Sequence, residues 1–259
     1  MAKTILLIHG AWVTSACWHL FRERYEHRGF TTSAPPWPYL EGSVDELRSA
    51  SHPSLPALTV PAIVDHYATI IRKMPEPPIL LGHSFGGLVV QLLLDRGLGA
   101  AGIAVDPAPA RGVLPGWNAT RAALPVLTTW NGWNRALRMT FEHFAWSFAQ
   151  TLPPAEQRLA YERHIVPAPG RIYFQSAIGV GNAEDYANAR RAPLLLIAGE
   201  GDRTVEASMV ETAFRRHQQS GAVTAFKTFP GRSHWLIASP GWEEIADEAI
   251  IWAKTNVLL

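Results

Sequence analysis

Runs of uninterrupted apolar residues alternate along this chain with stretches whose apolar positions recur every three or four residues. The runs Thr4-Ile5-Leu6-Leu7-Ile8, Pro78-Ile79-Leu80-Leu81, Gly102-Ile103-Ala104-Val105 and Leu194-Leu195-Leu196-Ile197-Ala198 have the pattern of strands buried on both faces of a parallel sheet. Residues 18–28, with Trp18, Leu20, Phe21 and Tyr25, read as an amphipathic helix closed at Gly29, and Phe30 to Ala34 as a short strand. Pro61 is placed as a first helical residue; Ile63, Tyr67, Ile70, Ile71 and Met74 follow at helical spacing, and Pro75-Glu76-Pro77-Pro78 stops the helix. An apolar helix runs from Leu88 to near Gly97, and helices over 206–217 and 242–253 flank a strand over 223–229. The alternation predicts an α/β domain: a mostly parallel sheet with helices on both faces.

Two stretches depart from it. Between residues 35 and 61, Pro35, Pro36, Pro38, Pro53, Pro56 and Pro61 leave little room for regular structure, so a long loop is expected. Residues 107–190 lack a clear core strand and are dense in aromatics. There Trp130, Trp133, Leu137, Phe141, Phe144 and Phe148 step by three and four, which predicts one face of a helix. The division expected is a core domain formed by 1–106 and 191–259, with a helical cap inserted at 107–190.

Composition narrows the class. At 259 residues with 47% hydrophobic and 17% charged, the chain can bury a sizeable core. A net charge of +1 without a basic stripe gives no footprint for nucleic acid. Cys17 is the one cysteine, which excludes an internal disulfide and a cysteine metal site and fits a reducing compartment. No signal peptide or membrane-length apolar run is read, so a cytoplasmic protein without a membrane partner is expected, its oligomeric state open. Gly179-Val180-Gly181 lacks a third glycine and a preceding strand, so no dinucleotide site is read, nor any other cofactor or metal motif.

The chemistry concentrates at Gly82-His83-Ser84-Phe85-Gly86, between a buried strand and an apolar helix. A serine on a sharp strand-to-helix turn projects its hydroxyl above the sheet, and glycines two residues away let the backbone pass closely. The helix behind it favours negative charge at the turn. Such a serine needs a base. His234, in Pro230-Gly231-Arg232-Ser233-His234-Trp235, follows the last strand, at the sheet's carboxyl edge. Asp202, in Gly199-Glu200-Gly201-Asp202, leaves the preceding strand at that edge; Asp106 and Glu200 compete for the acid role, with Asp202 preferred. The order Ser84, Asp202, His234 is that of a serine–acid–histidine set. Backbone N–H groups of Phe85 and Ala11 are the expected oxyanion donors, with Gly10 permitting close approach. Trp12, Trp130, Trp133, Phe144 and Trp235 are candidates for the substrate wall.

These residues, together with His9-Gly10-Ala11-Trp12, Gly199-Glu200-Gly201-Asp202-Arg203-Thr204-Val205 and Ser233-His234, resemble the α/β-hydrolase superfamily over nearly the whole chain. The resemblance implies an eight-stranded sheet, a cap after the sixth strand, and metal-free acyl transfer through a serine ester. Epoxide hydrolases and haloalkane dehalogenases carry an aspartate where this chain has Ser84. Hydroxynitrile lyases typically carry a lysine after the catalytic histidine and a threonine after the first histidine; here stand Trp235 and Gly10, as in the serine esterase-like branch. The function expected is hydrolysis of small to medium hydrophobic carboxylic esters without a cofactor. A carbon–carbon bond or lactone hydrolase with the same three residues is the alternative, and a ligand-binding receptor on this scaffold is the second.

Overall fold

The computed structural model describes residues 4–257. Strand β1 (Thr4–Ile8) leads into helix α1 (His19–Glu26), which Gly29 closes at φ 83, and then into β2 (Thr31–Ser33). The proline-rich stretch is not all loop: it contains α2 (Val44–Ser49). The cause is a capping box. Ser43 N–H donates to the Glu46 carboxylate at 2.8 Å, and Glu46 N–H returns to Ser43 Oγ at 3.3 Å. Helix α3 (Val60–Arg72) is capped by Thr59 with Pro61 in its first turn.

Strand β3 (Ile79–His83), helix α4 (Phe85–Asp95) and β4 (Ala101–Val105) form the centre. Every residue of α4 from Phe85 to Leu94 is buried, as an apolar all-round sequence requires. Each of its buried leucines and valines contributes about 1.5–3 kcal/mol.

The chain then leaves the sheet through α5 (Trp117–Leu127), β5 (Ala136–Leu137), α6 (Phe141–Ser147), α7 (Pro154–His164), β6 (Ala168–Pro169) and α8 (Gly170–Ile178). The single helix expected across Trp130 to Phe148 is therefore three pieces. Asn131 enters the left-handed region at φ 53, and Thr140 starts α6 by accepting from His143 N–H at 3.2 Å. Turn chemistry overrides the side-chain periodicity. The chain returns as β7 (Leu194–Gly199), α9 (Ala207–His217), β8 (Thr224–Phe229) and α10 (Trp242–Asn256).

The main sheet has six strands in the order β2-β1-β3-β4-β7-β8, every pair parallel. Eight strands were expected; among the described residues, the only others, β5 and β6, pair with each other instead. The chain runs outward from β1 to β2 and then reverses to β3, so β1 and β3 flank the switch point where such sheets hold ligands. The segment between β4 and β7 is fastened over that edge. Trp12 Nε1–H donates to Leu137 O at 3.1 Å, Val166 N–H to Trp12 O at 2.8 Å, and Trp235 N–H to Phe148 O at 2.9 Å. No described helix is long and apolar enough to cross a membrane.

Candidate active site

Ser84 joins β3 to α4 at φ 57 and ψ −123, a conformation that non-glycine residues enter at a cost of about 1–3 kcal/mol. The flanking glycines make this turn possible. A Cβ on Gly82 would overlap the Gly86 carbonyl, and one on Gly86 would overlap the Ile8 carbonyl. The turn is held by Ser84 N–H donating to Val105 O at 2.9 Å and by Ala108 N–H donating to Ser84 O at 2.9 Å.

His234 is fully buried in the loop after β8. Its Nδ1 lies 2.5 Å from Asp202 Oδ2. The other Asp202 oxygen accepts Thr204 N–H at 2.6 Å and Val205 N–H at 2.9 Å, so the carboxylate is fixed in place. A proton on Nδ1 leaves Nε2 as the bare nitrogen, and Nε2 is buried with no partner in the protein. No hydrogen bond joins it to Ser84 Oγ. The ring is positioned from two further sides: His83 Nε2–H donates to the His234 carbonyl at 2.8 Å, and Phe148 meets the imidazole edge-on at 4.5 Å.

The three carboxylates of this edge separate clearly. Asp106 Oδ2 stands 3.9 Å from His234 Nδ1. Glu200 turns away, accepting from Thr228 Oγ1 at 2.9 Å at the exposed surface.

Gly10 brings the loop after β1 against the serine: a Cβ there would lie 2.8 Å from Ser84 Cβ. No protein acceptor among the described residues takes the N–H of Ala11 or of Phe85. Trp12, at φ 64, turns its ring onto Tyr173, 4.6 Å between centroids, and Tyr173 meets Phe85 at 5.0 Å.

Ser84 opens into a cavity of about 380 Å³, whose lining includes Trp12, Phe85, Phe148, Tyr173, Val205 and Met209. Burial pushes Tyr173 well above the usual phenol range and His143 below the usual imidazole range, so these two members of the wall stay neutral. Of the substrate-wall candidates, Trp12 lines the cavity and the others do not. Trp130 is 91% exposed beyond the end of α5. Trp133 packs on Phe174 and under Arg171. Phe144 and Trp235 are fully buried against each other at 5.7 Å, serving as core. The wall missed in the sequence is built from Ala108, Ala110, Ala119, Ala122, Ala123 and Ala177. Its signal is the step of three and four that puts Ala119, Ala122 and Ala123 on one face of α5.

His83, Asp106 and His234 each place one ligand-type atom within 4.8 Å of the others. In each of the three one such atom is engaged in a hydrogen bond, His83 Nε2, His234 Nδ1 and Asp106 Oδ1, while the other has no partner.

Residues 5–248 match the sequence profile of the alpha/beta hydrolase family, and the chain belongs to that family. No curated protein matches it in sequence. Its fold is similar to that of a monoacylglycerol lipase from Paleococcus ferrophilus, with TM-score 0.69 and 20% identity over 98% of this chain and 94% of that one. A pyrethroid hydrolase from Sphingobium faniae gives 0.69 and 22%, covering 98% of each chain. A thermophilic esterase from Thermogutta terrifontis gives 0.70 and 19%, covering 98% of this chain and 90% of that one.

Proposed function

We propose that this protein is a serine-dependent carboxylic-ester hydrolase, with Ser84 as nucleophile, His234 as base and Asp202 as the acid that orients it. The observation that carries the reading is the Asp202–His234 contact at 2.5 Å, which leaves an unpartnered buried Nε2 on the imidazole. His234 takes the Ser84 proton as Oγ attacks the ester carbonyl, then returns it to the leaving alcohol. The imidazolium formed in between is stabilised by Asp202. The N–H groups of Ala11 and Phe85 receive the oxyanion, and the N-terminus of α4 favours the charge that develops there. Water activated by His234 then releases the acid. Apo geometry in such sites is often loose and tightens when substrate binds, in keeping with the open Ser84–His234 bond.

The cavity lies near the lower end of the roughly 300–1,000 Å³ span of small-molecule sites, and its wall is mainly apolar. That favours small to medium hydrophobic esters, with segment 107–190 acting as the cap. The names of the similar structures, a lipase and an esterase among them, point the same way. The test is hydrolysis of a p-nitrophenyl ester ladder from acetate to decanoate by parent and Ser84→Ala proteins. Parent-only turnover that peaks at an intermediate chain length is expected. Turnover by Ser84→Ala within about tenfold of the parent overturns the assignment. A folded parent inert to the whole ladder moves the reading to lactone or carbon–carbon substrates, or to ligand binding.

A further inference from the structure

Strand β4 ends in an acid that this chemistry does not use. Asp106 is fully buried at φ 41, its backbone N–H donating to Ile197 O at 2.8 Å. Its Oδ1 accepts Gly199 N–H at 2.8 Å. Its Oδ2 has no hydrogen-bond partner and points toward His234, 3.9 Å from Nδ1. Asp202 reaches the same nitrogen from the loop after β7. Carboxylates from two neighbouring strands therefore converge on one imidazole N–H.

Two buried carboxylates this close do not both ionise. Their surroundings decide which one holds the proton. Asp202 has two backbone N–H donors on one oxygen and the imidazole N–H on the other. Asp106 has a single N–H donor and is wholly shielded from bulk solvent. Burial first, and the adjacent Asp202 charge second, push Asp106 well above the usual carboxylate range. A neutral Asp106 carries an O–H on one oxygen, and the group it most favours as acceptor is the Asp202 carboxylate. The remaining titratable neighbour is His83, whose Nε2–H is committed to the His234 carbonyl and whose Nδ1 is buried and unpartnered.

We propose that Asp106 is a positioning residue, a neutral second acid that donates its proton as a hydrogen bond to the Asp202 carboxylate and takes over His234 Nδ1–H when Asp202 is lost. In the takeover Asp106 releases its proton to solvent, and the charge that supported the imidazolium moves from one carboxylate to the other. The inference rests on the role given above to His234 as base.

The test compares parent, Asp106→Asn, Asp202→Asn and the double variant by ester kcat/KM, and follows the low-field NMR signal of His234 Nδ1–H. Asp106→Asn keeps an acceptor for Gly199 N–H and a donor for Asp202, so its kcat/KM stays within about threefold of the parent. Asp202→Asn falls about 10- to 100-fold and regains rate as pH rises and Asp106 ionises. The double variant falls toward the roughly 10⁴-fold loss typical of a serine enzyme without its acid. The Nδ1–H signal persists in Asp202→Asn and disappears in the double variant. Folded single and double Asp202 variants with equal rates and no Nδ1–H signal overturn the proposal. So does a folded Asp106→Asn protein that loses more than about tenfold, a result that also decides the matter if Asp202→Asn does not fold. Failure of the parent reading registers separately, as unaltered turnover by Ser84→Ala.

Discussion

His9 Nε2 accepts the backbone N–H of Trp37 at 3.0 Å, while the other ring nitrogen bonds Gly10 O at 2.8 Å. The ring also stacks on the Trp37 indole at 4.9 Å. One buried neutral imidazole thus ties the proline-rich stretch to the loop that carries Ala11. His9→Leu leaves the Trp37 N–H buried without an acceptor, a loss of about 1–3 kcal/mol. It also frees the Gly10–Ala11 backbone, so ester kcat/KM is expected to fall about tenfold or more, the size of a misplaced oxyanion donor. Urea melts and kinetics on the same protein check both; an unchanged kcat/KM would detach this loop from the reaction.

The same imidazole makes the fold acid-sensitive. Burial holds His9 and His164 down at about 4 and His217 at about 3, against 6.5 when exposed. These groups bind fewer protons folded than unfolded, so their contribution is whole above pH 6.5 and is lost as pH falls toward 4 and 3. Each pK unit corresponds to about 1.4 kcal/mol, so calorimetry at pH 7 and pH 5 is expected to show a clear drop in Tm at the lower value. A flat profile across that interval would contradict the buried neutral histidines.

Glu184 runs the other way. Burial pushes its carboxyl up to about 7, and both its oxygens are buried and unpartnered, with His217 Nε2 3.6 Å away. Its folded form binds more protons than its unfolded form, so the associated stability is present below about pH 4.5 and fades as pH rises through about 7. Glu184→Gln removes the buried charge and is expected to raise Tm more at pH 8 than at pH 5. Equal shifts at the two values would place the charge on a group other than Glu184.

What the sequence reveals and conceals follows from which forces write into it. Strands buried on both faces must be continuously apolar, which is why Thr4–Ile8, Ile79–His83 and Leu194–Gly199 are legible. The serine turn is legible because Gly82 and Gly86 answer a steric demand that only glycine meets. The aromatic stripe from Trp130 to Phe148 misleads because periodicity survives across a break, and Asn131 and Thr140, not the aromatics, decide where helices begin. The capping box at Ser43 and Glu46 was readable but lay among prolines. Which aromatics face the cavity is set by packing between distant segments, such as Trp12 on Tyr173, and leaves no mark in local spacing.

The strained serine should oppose stability and activity in one substitution. Ser84 at φ 57 occupies a region open to glycine, so Ser84→Gly relieves the backbone while removing the nucleophile. The expected result is no ester turnover and a gain of about 1 kcal/mol, read as a higher Tm than that of Ser84→Ala. Gly82→Ala and Gly86→Ala go the opposite way, since each new methyl meets backbone rather than a movable side chain. Neither is expected to give folded protein, and a soluble, active Gly86→Ala would show that the elbow is looser than its contacts imply.

The alanine wall makes the cavity adjustable from one helix. Ala122 is buried on α5 and lines the space that Ser84 faces. Replacing it with leucine adds three carbons to a wall that packs closely, at the expense of chain length in the substrate. Ala122→Leu is expected to lower kcat/KM for the decanoate about tenfold relative to the acetate, since each excluded methylene is worth about 0.8 kcal/mol. Two aromatic controls separate wall from core. Trp130→Ala, on the surface, should leave the ladder and Tm unchanged, whereas Phe144→Ala should cost about 3–5 kcal/mol of stability without reordering the ladder. If Phe144→Ala instead reorders chain-length preference while Ala122→Leu does not, the acyl chain runs toward Trp235 rather than along α5.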